Sequence, residues 1–278
     1  MGKCSCKFDN VLIGISFVSV LLVSLYIGVY YKTDTYIENE KEVYRAIAHK
    51  NITRLHKVPI LLYHNINGKG PYSLPFDKLK NQFTQLQNNG IKVISLQQLE
   101  SHIDEHNPFG EKVISITFDD GYYSMYTMLM PMARSMSYPV TLFVYIDAIA
   151  MGGTKNLTWK KLQIMQNNNI DIQCHSHSHA DLVKLYNQGT LESRYALYRE
   201  IYLSKKILEL YLHKNIDYFA FPYGRYSIEL TELCKDAGYK RVFSTDYGPN
   251  IVTRDNFCLR RHHVKSNYSD EKVLSLAW

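Results

Sequence analysis

The stretch Val113-Ile-Ser-Ile-Thr-Phe-Asp-Asp-Gly121 decides the fold of this chain. A run rich in β-branched residues, typical of a strand covered on both faces in a parallel sheet or barrel, ends in two adjacent carboxylates and a glycine. Neighbouring carboxylates stay ionised only where a cation, a proton or strong donors compensate them. Because side chains alternate along a strand, Asp119 and Asp120 point in different directions and can hold different roles. A solvated turn also explains Asp-Asp-Gly by itself, so its meaning depends on partners elsewhere.

From Val58 onward the chain alternates predicted strands and helices. Predicted strands cover residues 58–63, 91–95, 113–118, 139–145, 170–174, 216–221, 241–244 and 258–264. Predicted helices cover residues 76–89, 96–105, 124–136, 158–167, 191–212 and 228–237. Thr158 is a predicted N-cap, and Pro131 predicts a kink. Strands separated by helices favour an α/β barrel or a doubly wound sheet. In a parallel barrel, functional residues gather at the carboxyl ends of the strands.

The N-terminal region carries a long apolar segment. Residues 11–31 contain no charged side chain, and as a helix they would span about 31 Å, the thickness of a bilayer core. Lys3 and Lys7 precede the segment, and tyrosines lie near its outer end, as at a membrane interface. We therefore expect a cytoplasmic tip (1–10), a single transmembrane anchor (11–31), a stalk (32–57) and an extracellular domain (58–278). A cleaved signal peptide is the alternative.

Composition sets limits on partners and redox state. The chain has 278 residues, 46% of them hydrophobic, and a net charge of +6. That charge is spread without a Lys/Arg run, which favours an anion-rich cell surface and argues against nucleic acid as a partner. The predicted domain holds Cys174, Cys234 and Cys258. Their odd number excludes a fully paired disulfide set, and their spacing is not that of a zinc ribbon, so we expect free thiols.

Polar clusters follow several predicted strands. After residues 170–174 comes His175-Ser-His-Ser-His179, where two histidines four residues apart can chelate a metal and a carboxylate from a neighbouring strand would complete the set. A surface histidine cluster is the alternative, and His177 is expected to be structural. Phe221-Pro-Tyr-Gly224 follows the strand at 216–221, and Leu62-Tyr-His64 ends the first strand. Clusters at four strand ends predict one shared site.

These segments resemble motifs of the polysaccharide deacetylases, carbohydrate esterase family 4 with its NodB-homology domain. Residues 117–121, 175–179 and 221–224 look like three of the family motifs, and the likeness extends from Val58 to about Val264. It implies a distorted (β/α)7-type barrel around one divalent ion, usually zinc. Leu62-Tyr-His64 lies ahead of the Asp-Asp motif, which is similar to the circularly permuted branch that includes poly-β-1,6-N-acetylglucosamine N-deacetylases.

The resemblance also implies roles for individual residues. Asp120, His175 and His179 would hold the metal, and Asp119 would be the general base. His64, as imidazolium, would protonate the leaving amine, and the backbone N–H of Tyr223 would stabilise the oxyanion. The predicted substrate-binding residues are Pro222, Tyr223, Trp159 and Arg261.

Some positions depart from the family pattern. Ala220 stands where the motif arginine that orients the base is expected; Arg225 or Arg261 is a candidate replacement. No motif for tuning the acid is evident, and Asp246 is only a weak candidate. The spacing of His175 and His179 is that of the general family, not the wider spacing of the biofilm branch, which loosens the substrate assignment.

We therefore expect a membrane-anchored, metal-dependent hydrolase that removes N-acetyl groups from an extracellular polysaccharide. Poly-β-1,6-N-acetylglucosamine is the first candidate substrate, with peptidoglycan or chitooligosaccharide next. An O-acetyl glycan esterase on the same site and a non-catalytic glycan-binding protein are the alternatives. A polysaccharide synthase or export machinery is a candidate partner.

Overall fold

The computed structural model describes residues 57–104, 112–248, 250–251 and 256–276. The predicted tip, the predicted anchor and all but the last residue of the predicted stalk lie outside these ranges. Within them, no helix has the length and apolar character needed to cross a bilayer.

Short strands and helices alternate through the described ranges. The strands are β1 (Lys57–Val58), β2 (Ile60–Tyr63), β3 (Lys92–Val93), β4 (Val113–Asp119), β5 (Val140–Val144), β6 (Ile170–Cys174), β7 (Tyr218–Ala220), β8 (Arg241–Phe243), β9 (Asn250–Ile251), β10 (Cys258–Leu259) and β11 (His262–His263). The helices are α1 (Phe76–Asn88), α2 (Leu96–Asp104), α3 (Met130–Ser135), α4 (Ile146–Met151), α5 (Trp159–Gln166), α6 (Leu182–Gln188), α7 (Leu191–Tyr198), α8 (Ser204–Leu212), α9 (Ile228–Asp236) and α10 (Asp270–Leu276). Two π-helical turns, Met125–Leu129 and Arg199–Leu203, and a 3-10 turn, Pro222–Gly224, complete the described elements.

One parallel sheet organises the domain. Its strands follow the order β10-β8-β7-β6-β5-β4-β2-β11, and β3 pairs with β4 beside this path. Each described pair within the sheet is parallel, whereas β1 and β9 form a separate antiparallel pair. Parallel strands need helical crossovers, which the alternating sequence supplies.

The two edges of this sheet belong to one segment of the chain. Strands β10 and β11 lie at opposite ends of the order but are separated by only two residues. The amide of Ser244 donates to the carbonyl of Leu259 (2.9 Å), and the amide of Val264 donates to that of Leu62 (2.9 Å). Residues 258–263 therefore serve as the seventh member of a ring with β2, β4, β5, β6, β7 and β8. This topology is consistent with the predicted distorted (β/α) barrel.

Strand β4 runs through the core, and all seven of its residues are buried. The Phe118 ring stacks on Tyr63 of β2, with centroids 5.1 Å apart and planes at 19°. A β-branched and aromatic strand suits this environment because both of its faces are covered. The site residues that follow β4 are therefore attached to a rigidly packed strand.

Several predicted helices are interrupted or incomplete. The predicted helix 191–212 contains the π-helical turn at 199–203, and the predicted helix 124–136 begins with the one at 125–129. Pro131 lies in the first turn of α3, where a missing N–H costs little. Thr158 occupies the N-cap position of α5, but its side chain makes no capping hydrogen bond.

Three short helices, α4, α6 and α10, were not predicted from the sequence. They have six or seven residues each, too few for a clear helical period. A local signal exists for α6, because the Asp181 carboxylate at its N-cap accepts a hydrogen bond from the Lys184 amide (3.2 Å). This Asp-x-x-Lys pattern is a weak sign when taken alone.

Truncating Leu142 of β5 to alanine should destabilise the domain, because its side chain has no exposed area and the change leaves a cavity. We expect a loss of about 2–5 kcal/mol in the free energy of unfolding, measured by urea denaturation. The matched control Leu210→Ala removes a side chain that is 67% exposed and should change stability by less than about 0.5 kcal/mol. Equal losses for the two variants would contradict the packing of β5 described here.

Candidate active site

A sharp turn at the end of β4 separates the two adjacent carboxylates. Asp119 is the last residue of β4 and is buried. Asp120 and Gly121 follow with φ angles of 79° and 78°, a left-handed conformation that only glycine adopts at little cost. A Cβ atom at Gly121 would also lie 3.2 Å from the Val144 side chain. The turn therefore needs this glycine, and both carboxylates keep an oxygen 3.7 Å from Nε2 of His175.

The histidine loop after β6 is held to the neighbouring strand. The amide of His175 donates to the carbonyl of Val144 at the end of β5 (2.8 Å). Ser176 and His179 have φ angles of 78° and 61°, and the Ser176 hydroxyl accepts a hydrogen bond from the His179 amide (3.0 Å). Non-glycine residues in this conformation store backbone strain and cluster at functional sites. The loop turns back tightly enough to place both histidines on one side.

Asp120, His175 and His179 converge as the sequence predicts. Asp120 Oδ1 lies 3.7 Å from Nε2 of His175 and 3.5 Å from Nε2 of His179. One ligand atom from each residue lies within 4.8 Å of the other two. These separations are long for direct hydrogen bonds and leave space for a cation between the three side chains.

The chemistry of this cluster fits a divalent metal. Nδ1 of His175 donates to the carbonyl of Ala220 (2.8 Å), which leaves the Nε2 lone pair facing the cluster. Burial lowers the pKa of His175 to about 4 and also lowers that of His179, so both rings are neutral, as metal binding requires. Burial and, secondly, the charge of Asp119 raise the pKa of Asp120 to about 7. A cation would compensate that carboxylate.

Asp119 is clamped by a buried arginine. Both terminal nitrogens of Arg261 donate to the carboxylate, at 2.7 and 2.8 Å, and Nε donates to the carbonyl of Ser244 at 3.2 Å. Arg261 has no exposed area, and its guanidinium lies 5.2 Å from the centre of the Phe143 ring. Burial alone would raise the pKa of Asp119, but Arg261 and then His175 hold it well below its ordinary range. Asp119 is therefore an ionised carboxylate.

The turn after β7 presents one aromatic side chain. Tyr223 has φ 58°, is 61% exposed, and its ring makes an edge contact with His179 at a centroid distance of 4.7 Å. Gly224 follows with φ 67°, and a Cβ atom there would lie 2.0 Å from the hydroxyl oxygen of Thr245. The turn therefore requires glycine at 224. It places Tyr223 at the edge of the metal cluster.

His64 lies at the same edge of the sheet. Tyr63 pairs with Phe118 in register, so the next residues, His64 and Asp119, end neighbouring strands. Nδ1 of His64 is buried and has no hydrogen-bond partner. Burial lowers the pKa of His64 to about 4, an effect only partly offset by Asp119. The ring is therefore neutral in this structure, whereas the sequence-based prediction assigned an imidazolium.

The sequence profile of the family described as Polysaccharide deacetylase matches residues 106–242. The chain therefore carries a polysaccharide deacetylase domain. The match contains both carboxylates of the β4 turn and both histidines of the cluster.

Individual relatives of this deacetylase are distant. YxkH of Bacillus subtilis (strain 168), named as a polysaccharide deacetylase, is 26% identical over 209 residues, which are 75% of this chain and 71% of that protein. The poly-beta-1,6-N-acetyl-D-glucosamine N-deacetylase of Staphylococcus epidermidis is 23% identical over 228 residues, or 74% of this chain and 78% of that protein. The structure of the Streptococcus pyogenes deacetylase PplD in complex with acetate aligns with a TM-score of 0.71 and 24% identity, covering 81% and 99% of the two chains. That likeness shows the fold.

Two predicted substrate-binding residues of the deacetylase are buried. Arg261 is bonded to Asp119 and Ser244, so it orients the predicted base. The Pro222 side chain is also buried and shapes the turn that exposes Tyr223. Sequence position alone did not show which side of each strand end faces solvent, and substrate binding by these two residues stays a prediction.

The other candidates have partners of their own. Arg225, proposed as a replacement for the motif arginine, donates to the exposed side of Asp181 (2.6 Å). The carboxylate of Asp246 accepts a hydrogen bond from the Tyr226 hydroxyl (2.9 Å), and Nδ1 of His64 has no hydrogen-bond partner. Trp159 stacks on Tyr211 of α8, with centroids 4.3 Å apart, which accounts for it as a packing residue. Substrate binding by Trp159 stays a prediction.

Glu200 supports the histidine loop and was missed by sequence reasoning. It lies in the π-helical turn 199–203 and has no exposed area. Its carboxylate accepts hydrogen bonds from the amides of His177 (3.0 Å) and Ser178 (2.9 Å) and from the Ser178 hydroxyl (2.6 Å). An available signal was an acidic residue between buried Leu197 and Ser204 on one helical face, which needs a polar partner.

Tyr122 is a second missed residue. Its side chain lowers the pKa of Asp120 against the effect of burial. Such outer contacts orient metal ligands and tune their basicity. Tyr122 follows the Asp-Asp-Gly sequence directly, but its role depends on the left-handed turn.

Removing a ligand nitrogen should abolish metal retention. We expect the full chain, loaded with zinc and passed through gel filtration, to retain about one ion per chain, and His175→Gln to retain almost none. His177→Gln is the matched control, because that ring faces Asp147 at 3.3 Å outside the cluster, and it should retain zinc like the parent. Zinc is measured by atomic absorption. Full retention by His175→Gln would exclude the assigned ligand set.

Removing the Glu200 carboxylate should loosen the metal site. Glu200→Ala leaves three buried donors without their acceptor, so we expect zinc affinity to fall about 10–100-fold, measured by competition with a fluorescent chelator. Glu192→Ala, at an exposed position of α7, is the control and should leave affinity unchanged. Circular dichroism checks that both variants fold. An unaltered affinity in folded Glu200→Ala would remove this carboxylate from the support of the site.

Proposed function

We propose that this enzyme is a metal-dependent N-deacetylase that acts on N-acetylglucosamine residues of an extracellular polysaccharide. The observation that carries the proposal is the placement of an ionised, arginine-clamped Asp119 beside the Asp120, His175 and His179 cluster. One carboxylate is held as a base and its neighbour is left for a cation. Hydrolysis of an amide by an activated water requires both a base and a cation site.

The cluster would hold one divalent ion, for which zinc is our first choice. When bound, that ion supplies Lewis acidity, which lowers the pKa of water and polarises a carbonyl. Three protein ligands from two strand ends leave positions open on the solvent side, as in catalytic sites. Tyr122 and Glu200 would keep the ligands in place.

The protein residues divide the remaining work. Asp119 takes a proton from water as the water oxygen forms a bond to the acetyl carbonyl carbon. The backbone N–H of Tyr223 is the proposed donor to the resulting oxyanion, and the exposed Tyr223 ring is a surface for the sugar. His64, whose ring is neutral in the free enzyme, must first take up a proton, which it delivers to the departing nitrogen as the C–N bond breaks, and Asp119 releases its proton to regenerate the base. The products are acetate and an amine. One water molecule balances the reaction.

Poly-β-1,6-N-acetylglucosamine is the substrate that we propose first. The Staphylococcus epidermidis relative, whose name states that activity, matches over most of both chains. In the sequence, His64 precedes the strand that ends at Asp119. In the sheet, the strand before His64 pairs with that strand. The exposed ring of Tyr223 can contact the face of a sugar residue in such a glycan.

We further propose that the enzyme works outside the cell, anchored by residues 11–31. The support is the length and lack of charge of that segment together with Lys3 and Lys7 before it. A polymer outside the cell is too large to cross the membrane for modification. A synthase or export complex for that polymer is the corresponding partner.

The proposed function is tested by acetate release. The zinc-loaded full chain should release acetate from β-1,6-linked N-acetylglucosamine oligomers faster than from β-1,4-linked ones. Asp119→Asn should lower kcat by at least about 10²-fold, the contribution of a positioned base, while zinc stays bound. Asp77→Asn, at an exposed position in the first turn of α1, is the control. Parent-like turnover by Asp119→Asn would refute the assigned base, and no acetate from either oligomer would refute the substrate class.

A further inference from the structure

Three aromatic rings are stacked at the His64 side of the site. The rings of Tyr72 and His263 are nearly parallel, with centroids 3.9 Å apart and planes at 10°. The rings of His263 and His64 follow at 4.7 Å and 22°. The centroids of Tyr72 and His64 are 5.5 Å apart, with planes at 31°, so the three rings form one cluster in which each ring is near the other two. Tyr72 is 38% exposed and joins this cluster to the protein surface.

Backbone contacts fix the positions of His263 and of the loop that carries Tyr72. His263 belongs to β11 and pairs in register with Leu62, two residues before His64. The amide of Ser266, beyond β11, donates to the carbonyl of Pro71 (2.7 Å), which ties the loop that carries Tyr72 to the segment after His263. The contact between the rings is therefore built into the closure of the barrel.

Hydrogen bonds do not orient the two imidazoles. Nδ1 of His64 and Nε2 of His263 are both buried without a partner, and Asp246 is bonded to Tyr226. A histidine ring turns easily about its last side-chain torsion, so a proton donor needs some device that fixes it. Parallel contact with a flat neighbour restricts this rotation, and in this chain that neighbour is His263.

We propose that His263 is a positioning residue that, together with Tyr72, holds the His64 ring for proton transfer in place of a hydrogen-bonded carboxylate. The role rests on the proposed function, because it matters only if His64 protonates a leaving group. The positioning role requires a flat ring at position 263 but does not require the ring nitrogens of a histidine. The structure also implies that a ring at 72 improves the fixation.

The test compares variants that keep or remove the ring. His263→Phe keeps a flat ring, and His263→Leu fills a similar volume without one. His262→Leu is the matched control, because the neighbouring His262 ring contacts Tyr247, at a centroid distance of 5.2 Å, and is not in the stack. Each zinc-loaded full chain is assayed for kcat and KM on N-acetylglucosamine oligomers. The same chains are assayed on 4-nitrophenyl acetate, whose leaving group needs no protonation.

We expect His263→Leu to lower kcat on the amide about 10–100-fold, as a misplaced reacting group does, with KM within about 2-fold. Its turnover of 4-nitrophenyl acetate should stay near that of the parent. His263→Phe should keep most of the amide activity, and His262→Leu should keep both activities. A general structural defect would instead lower amide and ester turnover together, and that result would overturn the proposal. So would an inactive His263→Phe.

A readout independent of activity separates this proposal from the proposed function. The ring protons of His64, assigned by their loss in His64→Gln, are followed by NMR in the parent and in each variant. We expect the ring-current shift to persist in His263→Phe and His262→Leu and to decrease in His263→Leu. Unchanged His64 shifts in His263→Leu would reject the stack. If the parent released no acetate while these shifts behaved as expected, the proposed function would fail and the ring contact would stand.

Discussion

The buried pair of Asp119 and Arg261 is the constraint on which the site depends. Two charges without contact to water are unfavourable unless their geometry and remaining hydrogen bonds are satisfied. Here the guanidinium meets the carboxylate with two bonds, gives its third to the carbonyl of Ser244, and packs over Phe143. The pair joins β4 to the segment that closes the barrel. The proposed base Asp119 therefore acquires its counter-charge only when the barrel has closed.

The local backbone turns two identical side chains into two different groups. Asp119 stays in the strand and receives Arg261, which keeps it ionised. Asp120 leaves the strand in a left-handed conformation, and burial together with the charge of Asp119 raises its pKa to about 7. The difference creates a base on one side and a position that favours a cation on the other, a general way in which paired carboxylates acquire separate roles.

Much of this arrangement could be predicted from local sequence, because local features cause it. The β-branched run predicted the buried strand. The resemblance to the deacetylase motifs supplied the roles of the Asp-Asp-Gly and His-x-x-x-His residues, since each pattern alone left an alternative open. Arg261 was recognised only as one candidate, since its contact with Asp119 spans 142 residues and depends on how the barrel closes. The support by Glu200 depends on a π-helical turn, which leaves no distinct pattern in a helical sequence.

Closure of the ring by residues 258–263 also determines the order in which the site becomes complete. Strand β4, the histidine loop and the turn at Tyr223 all precede this segment, yet the base has no counter-charge until Arg261 arrives. Contacts between residues so far apart form late, since a long loop must be closed first. A growing chain therefore carries the proposed metal ligands well before the site is complete. We expect hydrolytic activity only after the last member of the ring is inserted.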